Sequence, residues 1–274
     1  MKKEWTLPVL AWLAAAGGFA LRAWELVECY DPVSRRMTYP CSATALLWAL
    51  AAVLTAALFF LCRGMGKRTP EDWFYDPSTG NTALTTCAGF VLMAAGGLGL
   101  YERTIAYRTD TLAMLTCLCC LVGGAATVAY AAFVHRGQHT AALPLPLMAI
   151  CIAFVVWLVA TYQQHARQPV TELFVWQILS GVCIVLAVYH LVTLSMGRGN
   201  ALRTAALSLL CVPLTGIALA DGLPLPFALI SLSAMLLLTA QSRMLLRAAF
   251  GPPRPERMPA GSEQTDSDPT CTQE

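Results

Sequence analysis

The chain has 274 residues, of which 57% are hydrophobic and only 12% are charged. That charged share is about half of what an ordinary soluble domain carries, so it cannot cover a surface that faces water. The formal net charge of +2 and the scattered basic residues exclude an electrostatic footprint for nucleic acid, and the composition indicates that lipid is the main solvent.

Eight apolar stretches follow one another along the chain, each long enough to cross a bilayer as a helix. A hydrocarbon core about 30 Å thick needs about 20 helical residues, and backbone amides in lipid must be satisfied within their own segment. We therefore predict an all-α, polytopic integral membrane helical bundle over residues 1–250. The predicted spans are residues 6–24, 43–62, 82–101, 111–134, 143–162, 171–196, 202–220 and 224–246.

The last two predicted spans are joined by a very short turn. Asp221 and Gly222 end the seventh span, and Pro224 begins the eighth. An alternative is therefore six full spans followed by a hairpin that enters the membrane without crossing it.

Both ends of the chain carry recognisable signals. Lys2 and Lys3 precede an apolar run, as in a secretion signal, but seven further spans follow, which favours an uncleaved first helix. Residues 251–274 are rich in Pro, Ser, Thr and acidic residues, which predicts a disordered cytoplasmic tail.

The distribution of basic residues predicts the orientation of the bundle. With eight spans, 12 of the 18 Lys and Arg residues fall on the side of both termini and 6 fall on the opposite side. The positive-inside rule then places both termini in the cytoplasm, most simply at the plasma membrane.

The predicted outer side is rich in acidic residues as well as arginines. Its carboxylates are Glu25, Glu28, Asp31, Glu102, Asp110, Glu172 and Asp221. Ionisable residues near membrane depth usually face a bundle interior or a cavity, where they pair with one another. These charges therefore predict a mixed-charge site that opens to the outside.

Several of these charges lie at predicted span ends, beside tyrosines. Arg22 and Glu25 are three residues apart, so they share a helix face if the first span continues past Leu21. The simpler alternative is that such residues are interfacial anchors, because Tyr favours the headgroup level and Arg extends toward water. The candidate ligand-binding residues are Arg22, Glu25, Tyr101, Glu102, Arg103, Tyr162 and Glu172.

Cysteines are numerous, and most of the 11 lie inside predicted spans, where Cys behaves as a small hydrophobic residue. Cys29 and Cys41 both fall in the first outer loop, where an oxidising compartment permits a disulfide. Cys117, Cys119 and Cys120 lack the paired spacing of a zinc site and have no nearby His. We predict no metal site.

Catalytic motifs are missing from the sequence. It contains no G-x-S-x-G, Walker or G-x-G-x-x-G motif, so it indicates no familiar enzyme and no cofactor. His135 and His139 are one helical turn apart, but no Glu accompanies them as in a metalloprotease. An enzymatic function is therefore left as the third alternative.

Two classes of function explain the outer charges. The first is a transporter-like or ligand-binding membrane domain, whose mixed-charge site would suit a small polar or zwitterionic substrate. The second is a non-transporting assembly or sensory subunit that binds a partner membrane protein. The first predicts that the candidate residues line a cavity, and the second predicts a solid core.

Overall fold

The computed structural model describes residues 3–31, 36–37, 41–63, 70–105, 110–137, 142–166 and 174–250. Within these ranges the chain forms nine helices and one pair of two-residue antiparallel strands. The helices are α1 (Lys3–Cys29), α2 (Ser42–Leu61), α3 (Pro70–Trp73), α4 (Thr79–Ile105), α5 (Thr111–Arg136), α6 (Pro144–Ala166), α7 (Val175–Ser195), α8 (Ala201–Leu219) and α9 (Leu225–Phe250), and the strands are β1 (Tyr30–Asp31) and β2 (Arg36–Met37).

All of these helices except the four-residue α3 are long and apolar enough to cross a membrane. The prediction of an all-α bundle with eight spans is therefore confirmed. The eight include α8 and α9, with 19 and 26 residues, so the last hairpin has the length and hydropathy of two full spans.

The helix ends differ from the predicted span ends. The first helix continues to Cys29 rather than residue 24, because the charged side chains of Arg22 and Glu25 pair with each other and no longer oppose burial. Helix α4 extends to Ile105 rather than residue 101. The predicted start of the sixth span at residue 171 and the predicted tail 251–274 lie outside the described residues.

The last hairpin forms the centre of the bundle. Helix α8 packs against α1, α7 and α9, and α9 also packs against α4. Two thirds of the apolar window of each of these two helices is buried, compared with 17% for α2, which packs mainly on α1 and α8. Helix α2 is therefore the most peripheral of the eight spans.

Glycines allow two of the helix pairs to approach closely. A Cβ atom at Gly124 in α5 would lie 2.6 Å from the Gly89 carbonyl oxygen in α4, and one at Gly216 in α8 would lie 2.7 Å from Cβ of Ala15 in α1. Small residues at such positions let backbones pack in lipid. Three helices contain adjacent glycines: Gly17-Gly18 in α1, Gly96-Gly97 in α4 and Gly123-Gly124 in α5. Each helix continues without a break through its pair, which favours a packing role for these glycines over a hinge.

The alternating helices place two groups of helix ends together. One group, here called the disulfide end, contains the last turns of α1, α4, α6 and α8 and the first turns of α2, α5, α7 and α9. At the opposite end, Arg247 Nη1 lies 2.8 Å from Asp76 Oδ1, and the Tyr130 hydroxyl donates to Gln241 at 2.7 Å.

Candidate functional site

A buried cluster of charged side chains lies at the disulfide end. Arg22 Nη1 lies 2.6 Å from Glu25 Oε2, and Arg22 Nε lies 2.7 Å from Asp221 Oδ1. The Thr44 hydroxyl donates to Oε1, the other carboxylate oxygen of Glu25. The three charged side chains are each at most 3% exposed, so the ions are almost completely removed from solvent.

Three segments position this buried cluster. Residues 22 and 25 lie on one face of α1, and Thr44 lies in the first turn of α2. Asp221 lies in the turn between α8 and α9, followed by Gly222, whose φ of 69° favours glycine. The cluster therefore ties the end of α1 to the start of α2 and to the central hairpin.

Cys29 and Cys41 reinforce the connection between α1 and α2. Their sulfur atoms are bonded, and their Cα atoms lie 6.4 Å apart, within the range of protein disulfides. Because Glu25 and Thr44 lie one turn from these cysteines, the bond holds together the two helix ends that carry them.

Asp221 differs from an ordinary surface aspartate. Burial is the main cause that raises the pKa of its carboxyl group from 3.8 to about 6, and the charge of Glu25 acts in the same direction. Arg22 and Gln177 lower this pKa through charge and hydrogen bonding, but they do not offset the loss of solvent. The carboxyl group of Asp221 therefore changes charge near pH 6.

A cavity of about 660 Å³ lies at the same end, among α4, α5, α6 and α9. Four charged or amide side chains line it, together with the hydroxyl-bearing Thr116 and small and apolar residues. The four are Glu102, Arg103, Asp110 and Gln164. This volume lies within the usual range of about 300 to 1,000 Å³ for small-molecule sites.

Two glycines of α4 shape one wall of the cavity. A Cβ atom at Gly96 would lie 2.7 Å from the carbonyl oxygen of Cys117, and one at Gly99 would lie 2.7 Å from its sulfur atom. Glycine at both positions thus allows α5 to pack closely while the Cys117 side chain faces the cavity. Arg103 lies within hydrogen-bonding reach of that thiol.

The chemistry of this cavity suits a molecule that carries both charges. The carboxylates of Glu102 and Asp110 accept hydrogen bonds from an ammonium group, and the planar guanidinium of Arg103 can donate to a carboxylate. Gln164 adds a neutral amide that can both donate and accept.

The six predicted site residues that the structure describes do not come together in one place. Arg22 and Glu25 form the buried cluster, whereas Glu102 and Arg103 line the cavity. The two tyrosines, Tyr101 and Tyr162, are 63% and 57% exposed and line neither feature, as expected for interfacial anchors. Glu172 lies outside the described residues.

Sequence reasoning did not select four residues that complete these features. Asp110 and Asp221 were counted among the outer carboxylates, and Gln164 lies just after the predicted end of the fifth span at residue 162. Each was therefore a polar residue near a span end. Thr44 carried none, because a threonine near the start of an apolar helix is common. No sequence pattern assigned these residues to particular neighbours.

No protein-family model matches the chain, and neither the curated proteins nor the solved structures contain a significant match to it.

Proposed function

We propose that this multi-pass membrane protein is a transporter-like or ligand-binding domain that takes a small zwitterionic molecule. The cavity lined by Glu102, Arg103 and Asp110 is the observation that carries this proposal. It combines a suitable volume with groups for an ammonium and for a carboxylate. In this proposal the buried cluster around Arg22 positions the helices and does not contact the ligand.

The proposed orientation places the cavity on the outer side of the plasma membrane, with both termini in the cytoplasm. The excess of Lys and Arg on the side of the termini supports this orientation. A reporter domain fused to the carboxyl terminus, active only in the cytoplasm, tests it. Activity of an exported reporter at that position would contradict the orientation.

Ligand binding can be tested with the purified full chain in detergent and free amino acids as probes. A ligand at about 100 times its dissociation constant stabilises the folded state by about 2.7 kcal/mol, which raises the melting temperature by several degrees. We expect at least one amino acid to produce this shift. The absence of a shift across the 20 common amino acids would contradict a site for this class.

Variants of the cavity identify where the probe binds. The expected result is that Glu102→Gln and Arg103→Gln each remove the shift, because each deletes one of the two charged contacts. Arg198→Gln is the matched control, since Arg198 is exposed at the opposite end of the bundle. An equal shift in all three variants would place binding elsewhere.

A second candidate function is an assembly or sensory subunit, and the low burial of α2 favours it. Its exposed residues include Trp48, Val53 and Phe60, which are 50%, 65% and 61% exposed. A helix this exposed is free to pack against a partner in the membrane. A photoreactive amino acid at position 53 that crosslinks only to lipid in native membranes would exclude a partner at this face.

A further inference from the structure

The buried cluster contains one more acidic group than basic groups. Within the part of the chain that the structure describes, Arg22 is the guanidinium shared by Glu25 and Asp221. All three side chains are nearly inaccessible to water. An excess buried charge is costly, and a protein usually removes the cost by keeping one group neutral. One of the two carboxyls is therefore poised to hold a proton.

The hydrogen bonds distinguish the two carboxyls. Both oxygens of Glu25 accept a hydrogen bond, one from Arg22 and one from Thr44. Asp221 accepts hydrogen bonds from Arg22 and Gln177, but its Oδ2 is buried with no hydrogen-bond partner among the described residues. Glu25 is thus better stabilised as an anion, and Asp221 is the better proton acceptor.

The charged and polar groups around Asp221 come from two helices. Helix α1 supplies Arg22 and Glu25, and α7 supplies the amide of Gln177. The first residues of α9, beginning with Leu225, are not titratable. Burial opposes the charged form of Asp221 more strongly than Arg22 and Gln177 favour it. This agrees with the buried Oδ2 atom, which has no hydrogen-bond partner among the described residues.

We propose that Asp221 is a proton-binding site, and that its protonation releases the turn between α8 and α9 from Arg22. Binding a proton converts the carboxylate to a neutral carboxylic acid, which weakens the charge-assisted bond to Nε. Arg22 and Glu25 then form a neutral pair, and the excess charge of the cluster is gone. This proton site stands independently of the proposed ligand.

The position of Asp221 links the proton site to the cavity. Pro224 and Pro226, which follow it in the same turn and the first residues of α9, line the cavity. Release of Asp221 therefore loosens a segment that forms part of the cavity wall. This second step rests on the proposed function and identifies the proton as its coupling ion.

Infrared spectroscopy of the full chain tests the proton site without any ligand. In a maltoside detergent, which has no carbonyl group, the C=O band of a protonated carboxyl is separate from carboxylate bands. We expect such a band to appear with a midpoint near pH 6 on acidification. The band should be absent in Asp221→Asn and unchanged in Glu28→Gln, which removes an exposed carboxyl at the same end.

A second variant keeps the test decisive if Asp221→Asn does not fold. Glu25→Gln leaves Asp221 as the sole carboxyl beside Arg22, so the midpoint should fall by about one pH unit or more. Persistence of the band in Asp221→Asn, or an unmoved midpoint in Glu25→Gln, would overturn the proton site. If the band behaves as expected but probe binding is the same at pH 5 and pH 8, only the coupling step fails.

Discussion

Arg22 Nε lies 2.7 Å from Asp221 Oδ1, although 199 residues separate the two in the chain. The same guanidinium also binds Glu25, so one cation serves a carboxylate on its own helix and one in the turn of the central hairpin. This arrangement makes Arg22 the connection between the first span and the last two. Substitution of Arg22 should therefore lower the stability of the bundle rather than remove a direct contact with a ligand.

Arg22→Gln should strongly destabilise the bundle. The substitution leaves two buried carboxylates without a cation, and breaking a buried pair in this way costs about 3 to 5 kcal/mol. The melting temperature in detergent, followed by circular dichroism, measures the effect. The exposed control Arg198→Gln should change stability by no more than about 0.5 kcal/mol. Similar melting of the two variants would show that the cluster does not support the fold.

The stability of the chain should depend on pH through Asp221. Because its folded-state pKa is raised from 3.8 to about 6, the folded chain binds this proton more tightly than the unfolded chain. The resulting stabilisation is complete below about pH 4 and is lost as the pH rises through about 6. The measurement is the difference in melting temperature between wild type and Asp221→Asn, which should decrease from pH 4 to pH 8. A constant difference would contradict the raised pKa.

The disulfide between Cys29 and Cys41 should contribute measurably to stability. The two cysteines are 12 residues apart, and closing a loop of this size stabilises a protein by about 2 to 4 kcal/mol. We expect a reductant, or the double substitution to Ser, to lower the free energy of unfolding by a similar amount and therefore to lower the melting temperature. Before reduction, mass spectrometry should find neither thiol alkylated by a maleimide. Alkylation of both residues in freshly prepared membranes would show that the bond is absent.

Packing between α4 and α5 should tolerate no side chain at Gly124. An added Cβ would lie 2.4 Å from Cγ of Met93 and 2.6 Å from the Gly89 carbonyl oxygen, and the backbone atom cannot move aside cheaply. Overpacking of this kind costs about 1 to 3 kcal/mol, so Gly124→Ala should melt earlier. Gly97→Ala is the control, because no atom lies within 4 Å of its added Cβ. It should be neutral or slightly stabilising, and earlier melting of this control would remove the steric explanation.

The sequence was sufficient to predict the number and type of the membrane spans. Lipid requires about 20 apolar residues in a helix that satisfies its own backbone amides, and each stretch meets this requirement without its neighbours. It also predicted that Arg22 and Glu25 share a helix face if the first span continues past Leu21, because a spacing of three residues within one helix is a local property. It could not predict that Asp221 completes the cluster, because hydropathy does not specify which helices are neighbours. The separation of Glu102 from Glu25 also depends on helix packing, which brings α9 and α5 to α4 and leaves α1 on α8.

The central position of α8 and α9 has a consequence for biosynthesis. These helices form the core against which α1, α4 and α7 pack, yet they follow the other six spans in the chain and are therefore synthesised after them. Helices α1 and α7, which pack most extensively on α8, must therefore remain in the bilayer without that contact until α8 is made. During this interval Arg22 and Thr44 can already bind the carboxylate of Glu25, and Asp221 joins the cluster only when the turn after α8 is made.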